Sequence, residues 1–440
     1  MLLTLAATAL CLMQCRDSGL PEVPPPVIPV LDIEVFHEAV RGKDGGLRPW
    51  HSDGDGPFHH IITLQAEWWL EQPDHDGWPV CCTAAKLDRG CGQFGGAVPA
   101  STCSLGILAM LKYHEYAGDG RALELARRLG AYQLERGLTP SDIGEWADFP
   151  WPAGATGDTC PDGGGHPFCT AGEVMPDKGA MVGWALVRLY ETTGEQAWLD
   201  GSVRIADTLA RHAAPGDGSR SPWPFRVRAD SGVQVDGPLS GNQVFALRLF
   251  DGLLRLGVER DGYREAREAV WRWLRDVAIA DTSGGSWQHF FEDHSGDEDN
   301  PTQFSALETA RYLLEERERL DPHWLELALA IEETVRRRWV VERDGCFVVG
   351  EQQQDMTPYN SHTARYGSLL AMLHAATGEE RFRDEAFSCL CYAAYSVDND
   401  GFTDTSYGKG TAWTTDSFGD WLRSFIDALA AVPRWGRPAS

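Results

Sequence analysis

The chain has 440 residues, 43% of them hydrophobic and 24% charged, enough apolar material for a large core and too much for a disordered polypeptide. A formal net charge of −26 argues against a nucleic-acid partner or an anionic membrane surface, both of which are bound through Lys and Arg. The same acidity disfavours a polyanionic substrate, unless a local basic patch overrides the global field.

In chain order, the first segment, MLLTLAATALCLMQC, is an apolar run of signal-peptide length, too short to span a bilayer. Leu12-Met13-Gln14-Cys15 resembles a bacterial lipobox, in which the cysteine is lipidated after cleavage, although no Lys or Arg precedes the run and Gln14 is bulky. Residues 1–15 are therefore read as a signal peptide, and residues 16–57, with the Pro-rich stretch Pro21 to Pro29, as a tether and irregular lead-in. The expectation is an exported protein of the cell envelope, touching the membrane only through a lipid anchor. Export favours disulfides over catalytic thiols, and Cys160 and Cys169, flanking the Gly-rich loop CPDGGGHPFC, are the expected bridge. The Cys81/Cys82/Cys91/Cys103 group would supply one or two more. A zinc site is the rival, but no C-x-x-C pair occurs and no His is suitably spaced, so no metal is expected.

Phe58 to Glu71 reads as one helix, ended near Pro73. Five helical hairpins follow, over about 100–138, 177–213, 241–279, 302–340 and 361–396, and a single helix spans about Thr415 to Ala431. In each hairpin the first helix is the more apolar and richer in small residues, and in two of them the break falls at Thr-Gly, Thr193-Gly194 and Thr377-Gly378. Such a repeat signals stacked hairpins, and the lone helices at the two ends pair to complete a sixth. The fold expected over residues 58–435 is all-α, a closed (α/α)6 toroid of helical hairpins with short β-like loop segments.

The apolar first helices should line the inside of the ring, with their N-termini on one rim. The polar residues there are Asp177 with Lys178, Asn242 with Gln243, Thr302 with Gln303, His362 with Arg365, and Asp416. Single N-caps account for some of them, but not for long polar side chains at equivalent places. Trp residues beside Pro and Gly in the loops (Trp151, Trp223 and Trp287) are candidates to stack on sugar faces at the mouth of a cleft.

Four segments, SPWPFRV (Ser221 to Val227), FED with PTQFSALETARYLLE (Phe291 to Asp293 and Pro301 to Glu315), SHTARYGSL (Ser361 to Leu369) and TTDSFGDWLRSF (Thr414 to Phe425), resemble the six-hairpin glycosidase-like superfamily over roughly residues 95 to 435. The resemblance is strongest to exported bacterial proteins of unassigned activity. It implies the toroid and, by analogy, chemistry on carbohydrates.

Hydrolysis of a glycosidic bond in a poly- or oligosaccharide needs two carboxylates across the scissile bond. Asp293, in a loop after Trp287-Gln288-His289-Phe290-Phe291, and Asp416 are the favoured pair, with Asp177 next. The alternative is a polysaccharide lyase or uronyl C5-epimerase. Such an enzyme neutralises a uronate with Asn, Gln or Arg and removes the C5 proton with Tyr or His. Tyr359, Asn360, His362, Arg365 and Tyr366 hold all these types within eight residues, and His362 and Tyr366, at i and i+4, share a helix face. Substrate binding is assigned to Trp151, Trp223, Trp287, Asn242, Gln243, Gln303, Tyr359 and Asn360. A third reading is a surface protein that binds glycan without turning it over. The acidic run Glu292 to Asp299 does not fit an EF-hand and reads as solvated. Gly163-Gly164-Gly165 is not a phosphate loop, and no cofactor is expected.

Overall fold

The computed structural model describes residues 37–52, 56–72, 74–75, 77–79, 86–88, 99–152, 172–290, 299–343, 345–404, 411–413 and 415–435. Twelve α-helices stand among them: α1 (His59–Leu70), α2 (Pro99–Ala117), α3 (Gly120–Arg136), α4 (Pro176–Thr193), α5 (Gln196–His212), α6 (Val244–Arg255), α7 (Tyr263–Trp273), α8 (Gln303–Glu316), α9 (Trp324–Trp339), α10 (Asn360–Thr377), α11 (Glu380–Ala394) and α12 (Thr415–Ala431). Helix α7 runs on as a π-helical turn, Leu274–Ile279.

Three hairpins share one joint. Gly118-Asp119, Gly194-Glu195 and Gly378-Glu379 are the two-residue links of α2–α3, α4–α5 and α10–α11. Each glycine is left-handed, with φ of 71°, 71° and 74°, the conformation that closes a helix C-terminus and that a side chain resists. The acidic residue then opens the next helix, and the Asp119 carboxylate accepts from the Arg121 backbone N–H at 2.8 Å. Helix α4 starts with Pro176, whose missing N–H is no loss at a first turn.

The ring closes. Helices α2, α4, α6, α8, α10 and α12 each pack on the next, and α12 packs back on α2. Their second partners α3, α5, α7, α9 and α11 form the outer layer, and α1 completes it against α12 and α3. The two end helices thus make the sixth pair across the termini. Six parallel inner helices leave room only for small residues where backbones approach. Gly419 of α12 marks the closing seam, since a Cβ there would lie 2.9 Å from the Leu105 backbone of α2.

Short strands sit in the loops leading to inner helices. β1 (Asp74–His75) pairs with β2 (Trp78–Pro79), and β3 (Lys86–Asp88) with β9 (Thr411–Trp413), all antiparallel. β4 (Glu173–Val174), β5 (Arg226–Arg228) and β6 (Gln234–Asp236) form a three-stranded antiparallel sheet, while β7 (Val340–Arg343) and β8 (Cys346–Val349) form a hairpin. The β3–β9 pair ties the loop before α2 to the loop before α12, the helices that close the ring. The leader, Cys15 and the expected Cys160–Cys169 bridge lie outside the described residues. Cys103, Cys346, Cys389 and Cys391 are buried and form no disulfide, and burial pushes Cys103 up to about 12 despite a hydrogen bond with Gln133.

Candidate active site

The first turns of the inner helices carry a buried polar layer. Asp177, second residue of α4, accepts from Asn242 Nδ2 at 3.1 Å and lies 3.8 Å from Lys178 Nζ. Burial pushes the Asp177 carboxyl above the usual range, against the opposing pull of Lys178 and the Asn242 hydrogen bond. Lys178 Nζ donates to the Phe290 carbonyl at 2.6 Å and sits 3.1 Å from the centre of the Phe290 ring. Gln243 donates to the Ser240 carbonyl at 2.8 Å, and Gln303, first residue of α8, to the Glu351 carbonyl at 3.1 Å. On α10, Asn360 is fully buried, and neither its Oδ1 nor its Nδ2 finds a hydrogen-bond partner among the described residues. The same holds for Asp177 Oδ1, Asn242 Oδ1 and Ser305 Oγ. His362 is buried against the Tyr359 ring, 5.6 Å between centroids. Burial, then the Arg365 charge, holds its imidazole well below the usual range, so it is neutral.

Beneath this layer the bore is filled by ions. Arg365 pairs with Asp420, reaches Gln303 Oε1 at 3.4 Å and Glu308 Oε1 at 3.6 Å, and stacks 4.1 Å above Phe304. Glu308 takes a bidentate pair from Arg423 at 2.6 and 3.0 Å, and a further bond from Arg311 at 2.7 Å. Burial alone would raise Glu308; Arg423, Arg311 and Arg248 outweigh it and hold the carboxyl well below its ordinary value. Lower still, Asp427 joins Arg311 and lies 2.8 Å from Lys112, and Arg248 joins Glu315. Of this ladder, sequence reading picked out only Arg365, and for another role. The ladder's signal was there: Glu308/Arg311 and Asp420/Arg423 are acid–Arg pairs at i, i+3 on helices that must be inside.

The structure corrects several expectations. Tyr366 does not serve the rim with His362. Its hydroxyl donates to Glu332 of the outer helix α9 at 2.7 Å, between the two layers, because one helical turn carries it below the first-turn level. Burial, then the Glu332 charge, pushes this phenol well above its usual value, where it cannot act as a base near neutrality. Arg365 has its guanidinium taken up by Asp420, Glu308 and Gln303. The loop tryptophans are core, not platforms. Trp223 donates to the Leu209 carbonyl at 3.1 Å and stacks on Phe250, while Trp287 and Trp151 are 1% and 5% exposed. Asp293 lies outside the described residues; Asp416 is the second residue of α12 by its backbone. Of the residues proposed from sequence, Asp177, Asn242, Gln243, Gln303, Tyr359, Asn360 and His362 share the first-turn layer.

No protein-family model matches the chain, and no curated protein matches it. Solved structures do. A sugar epimerase from a ruminal bacterium superposes with a TM-score of 0.59 at 13% identity, covering 83% of this chain and 97% of that one. A D-mannose isomerase gives 0.58 at 12% identity, over 84% and 96%. A family 76 glycoside hydrolase (mannosidase) from Bacteroides thetaiotaomicron gives 0.56 at 12%, over 85% and 100%. The chain therefore has the six-hairpin (α/α)6 toroid fold. At these identities the likeness is one of fold.

Proposed function

We propose that the protein is a carbohydrate-active enzyme that hydrolyses a glycosidic bond, with Asp177 as its general acid. The observation that carries this reading is a carboxyl group at the inner rim, fully buried, with one oxygen unpartnered among the described residues and its acid form favoured by burial. A general acid must hold the proton it gives to the leaving-group oxygen, and burial pushes Asp177 in that direction. The second carboxylate is then Asp293 or Asp416, both on segments that lead to or open an inner helix. The neighbouring folds include a mannosidase. Export, and lipidation at Cys15, belong to the same proposal.

A second reading rests on His362. A buried neutral imidazole is the form that accepts a proton from a carbon next to a carbonyl, the step of a sugar epimerase or isomerase. Incubation with gluco- and manno-oligosaccharides in D2O separates the two. New reducing ends mean hydrolysis and send mutagenesis to Asp177. Deuterium at a ring carbon without new reducing ends means proton transfer and sends it to His362. Silence in both readouts, with glycan bound, leaves a capture protein and sinks the enzyme reading.

A further inference from the structure

The side chains at the rim carry information about what they are built to hold. A uronate is recognised by a cation with free N–H groups, best an Arg fork on its carboxylate. Among the described residues the guanidinium forks on the inner helices are engaged by the protein's own carboxylates. Arg365 is taken by Asp420, Arg423 by Glu308, Arg311 by Glu308 and Asp427, and Arg248 by Glu315. Lys178 is engaged by the Phe290 carbonyl and ring beside Asp177. Deeper in the ladder Arg248, Arg311 and Arg423 each leave Nε without a partner, but at the first turns of the inner helices the polar atoms left over among the described residues include Asn360 Nδ2 and Oδ1, Asn242 Oδ1, Ser305 Oγ and Asp177 Oδ1. These rim atoms are mostly acceptors and carry no positive charge.

These atoms belong to one level. Asn360 is the first residue of α10, Asp177 the second of α4, Ser305 the third of α8, and Asn242 lies two before α6. That is a spread of about one helical turn, roughly 5 Å. Helices α4 and α10 stand opposite one another in the ring, so the group surrounds the axis. An orphaned polar atom in a dry interior is costly, and a folded chain rarely keeps several together without a use for them.

We infer that the rim takes an uncharged sugar unit, held through its hydroxyls, with Asn360 as the main specificity-determining residue. A hydroxyl both donates and accepts, so it satisfies the acceptors of Asn242 and Asn360, the donor of Asn360, and Asp177 in either its acid or its ionised form. A carboxylate only accepts, and among the described residues the cations at this level, Lys178 and Arg365, are already engaged. The inference rests on the carbohydrate reading above and narrows it away from uronic-acid lyases and epimerases.

The test is calorimetric binding to the full chain of matched pairs, each a neutral gluco- or manno-oligosaccharide and the same compound oxidised to the uronic acid at C6. The neutral member is expected to bind at least tenfold more tightly. Equal or tighter binding of the uronate overturns the inference and leaves the carbohydrate reading standing, whereas no binding and no turnover of any member overturns both. Asn360→Ala adds a readout that a structural role would not share. Removing two orphaned atoms should leave the melting temperature unchanged or higher while affinity for the neutral sugar falls at least tenfold. Unchanged affinity, or a variant that melts markedly lower, refutes the role given to Asn360.

Discussion

Asp177 sits where it harms the fold. Its folded-state pKa is raised, so the stability linked to it is fully present below the unfolded value of about 3.9 and is lost as pH rises through the raised value. At neutral pH ionising this carboxyl therefore works against folding, and a neutral isostere relieves it. Asp177→Asn keeps an acceptor for Asn242 and is expected to melt higher than wild type at pH 7, with the gap closing towards pH 3. It should also lose 10²- to 10⁴-fold in turnover, about the worth of a general acid. Thermal melts from pH 3 to 8, beside a reducing-end assay, check both. A variant less stable at pH 7 would mean that the Lys178 pairing, not burial, governs the residue. Sequence alone pointed to Asp177 through its place at a helix start. It could not reveal that Tyr366, one turn below His362, turns outward to Glu332, or that loop tryptophans fold into the core, because these depend on which layer a side chain meets.

At the scale of elements, hairpins were legible and the ladder was not. Helical period and the Gly-acid breaks are local, so the boundaries read from sequence fall within a few residues of those observed. What holds α8, α10 and α12 to one another is long-range, with Glu308 on α8, Arg365 on α10, and Asp420 and Arg423 on α12. Truncating the central member leaves buried guanidinium groups uncompensated, so Glu308→Ala should cost about 3–5 kcal/mol in stability, read by urea unfolding. A loss below about 1 kcal/mol would show that the remaining acids compensate. The seam between α2 and α12 makes a second demand. Gly419→Ala puts a methyl 2.9 Å from the Leu105 backbone, where no side chain can swing away, and overpacking of this kind costs about 1–3 kcal/mol. Gly120→Ala, with no atom within 4 Å of the added carbon, is the matched control and should be neutral or slightly stabilising.

For the whole molecule, charge divides into two populations that respond to solvent differently. The axial ladder is nearly balanced and largely buried, with only Lys112 and Glu315 partly exposed at its lower end: Arg248, Arg311, Arg365, Arg423 and Lys112 face Glu308, Glu315, Asp420 and Asp427. The net charge of −26 must therefore reside almost entirely outside it. Like charges spread over a surface repel in the compact state and are screened within about 10 Å at 0.1 M salt, whereas buried pairs are screened much less. Raising NaCl from 0.02 to 0.5 M at pH 7 should thus raise the melting temperature, the reverse of what a fold held by surface ion pairs would show. The increment should vanish near pH 4.8, where the net charge is zero. Below that the ladder takes over. Glu308 and Asp427 are both depressed, because their Arg and Lys partners outweigh burial, so the stability they give is present above the ordinary carboxylate range and lost as pH falls through their lowered values. Acid unfolding should accordingly set in below about pH 4. In Glu308→Ala the acid midpoint should move up in pH while the salt response at pH 7 stays as in wild type. If that variant lost the salt response instead, the ladder would be open to solvent, and the toroid would have a wet bore rather than a plugged one.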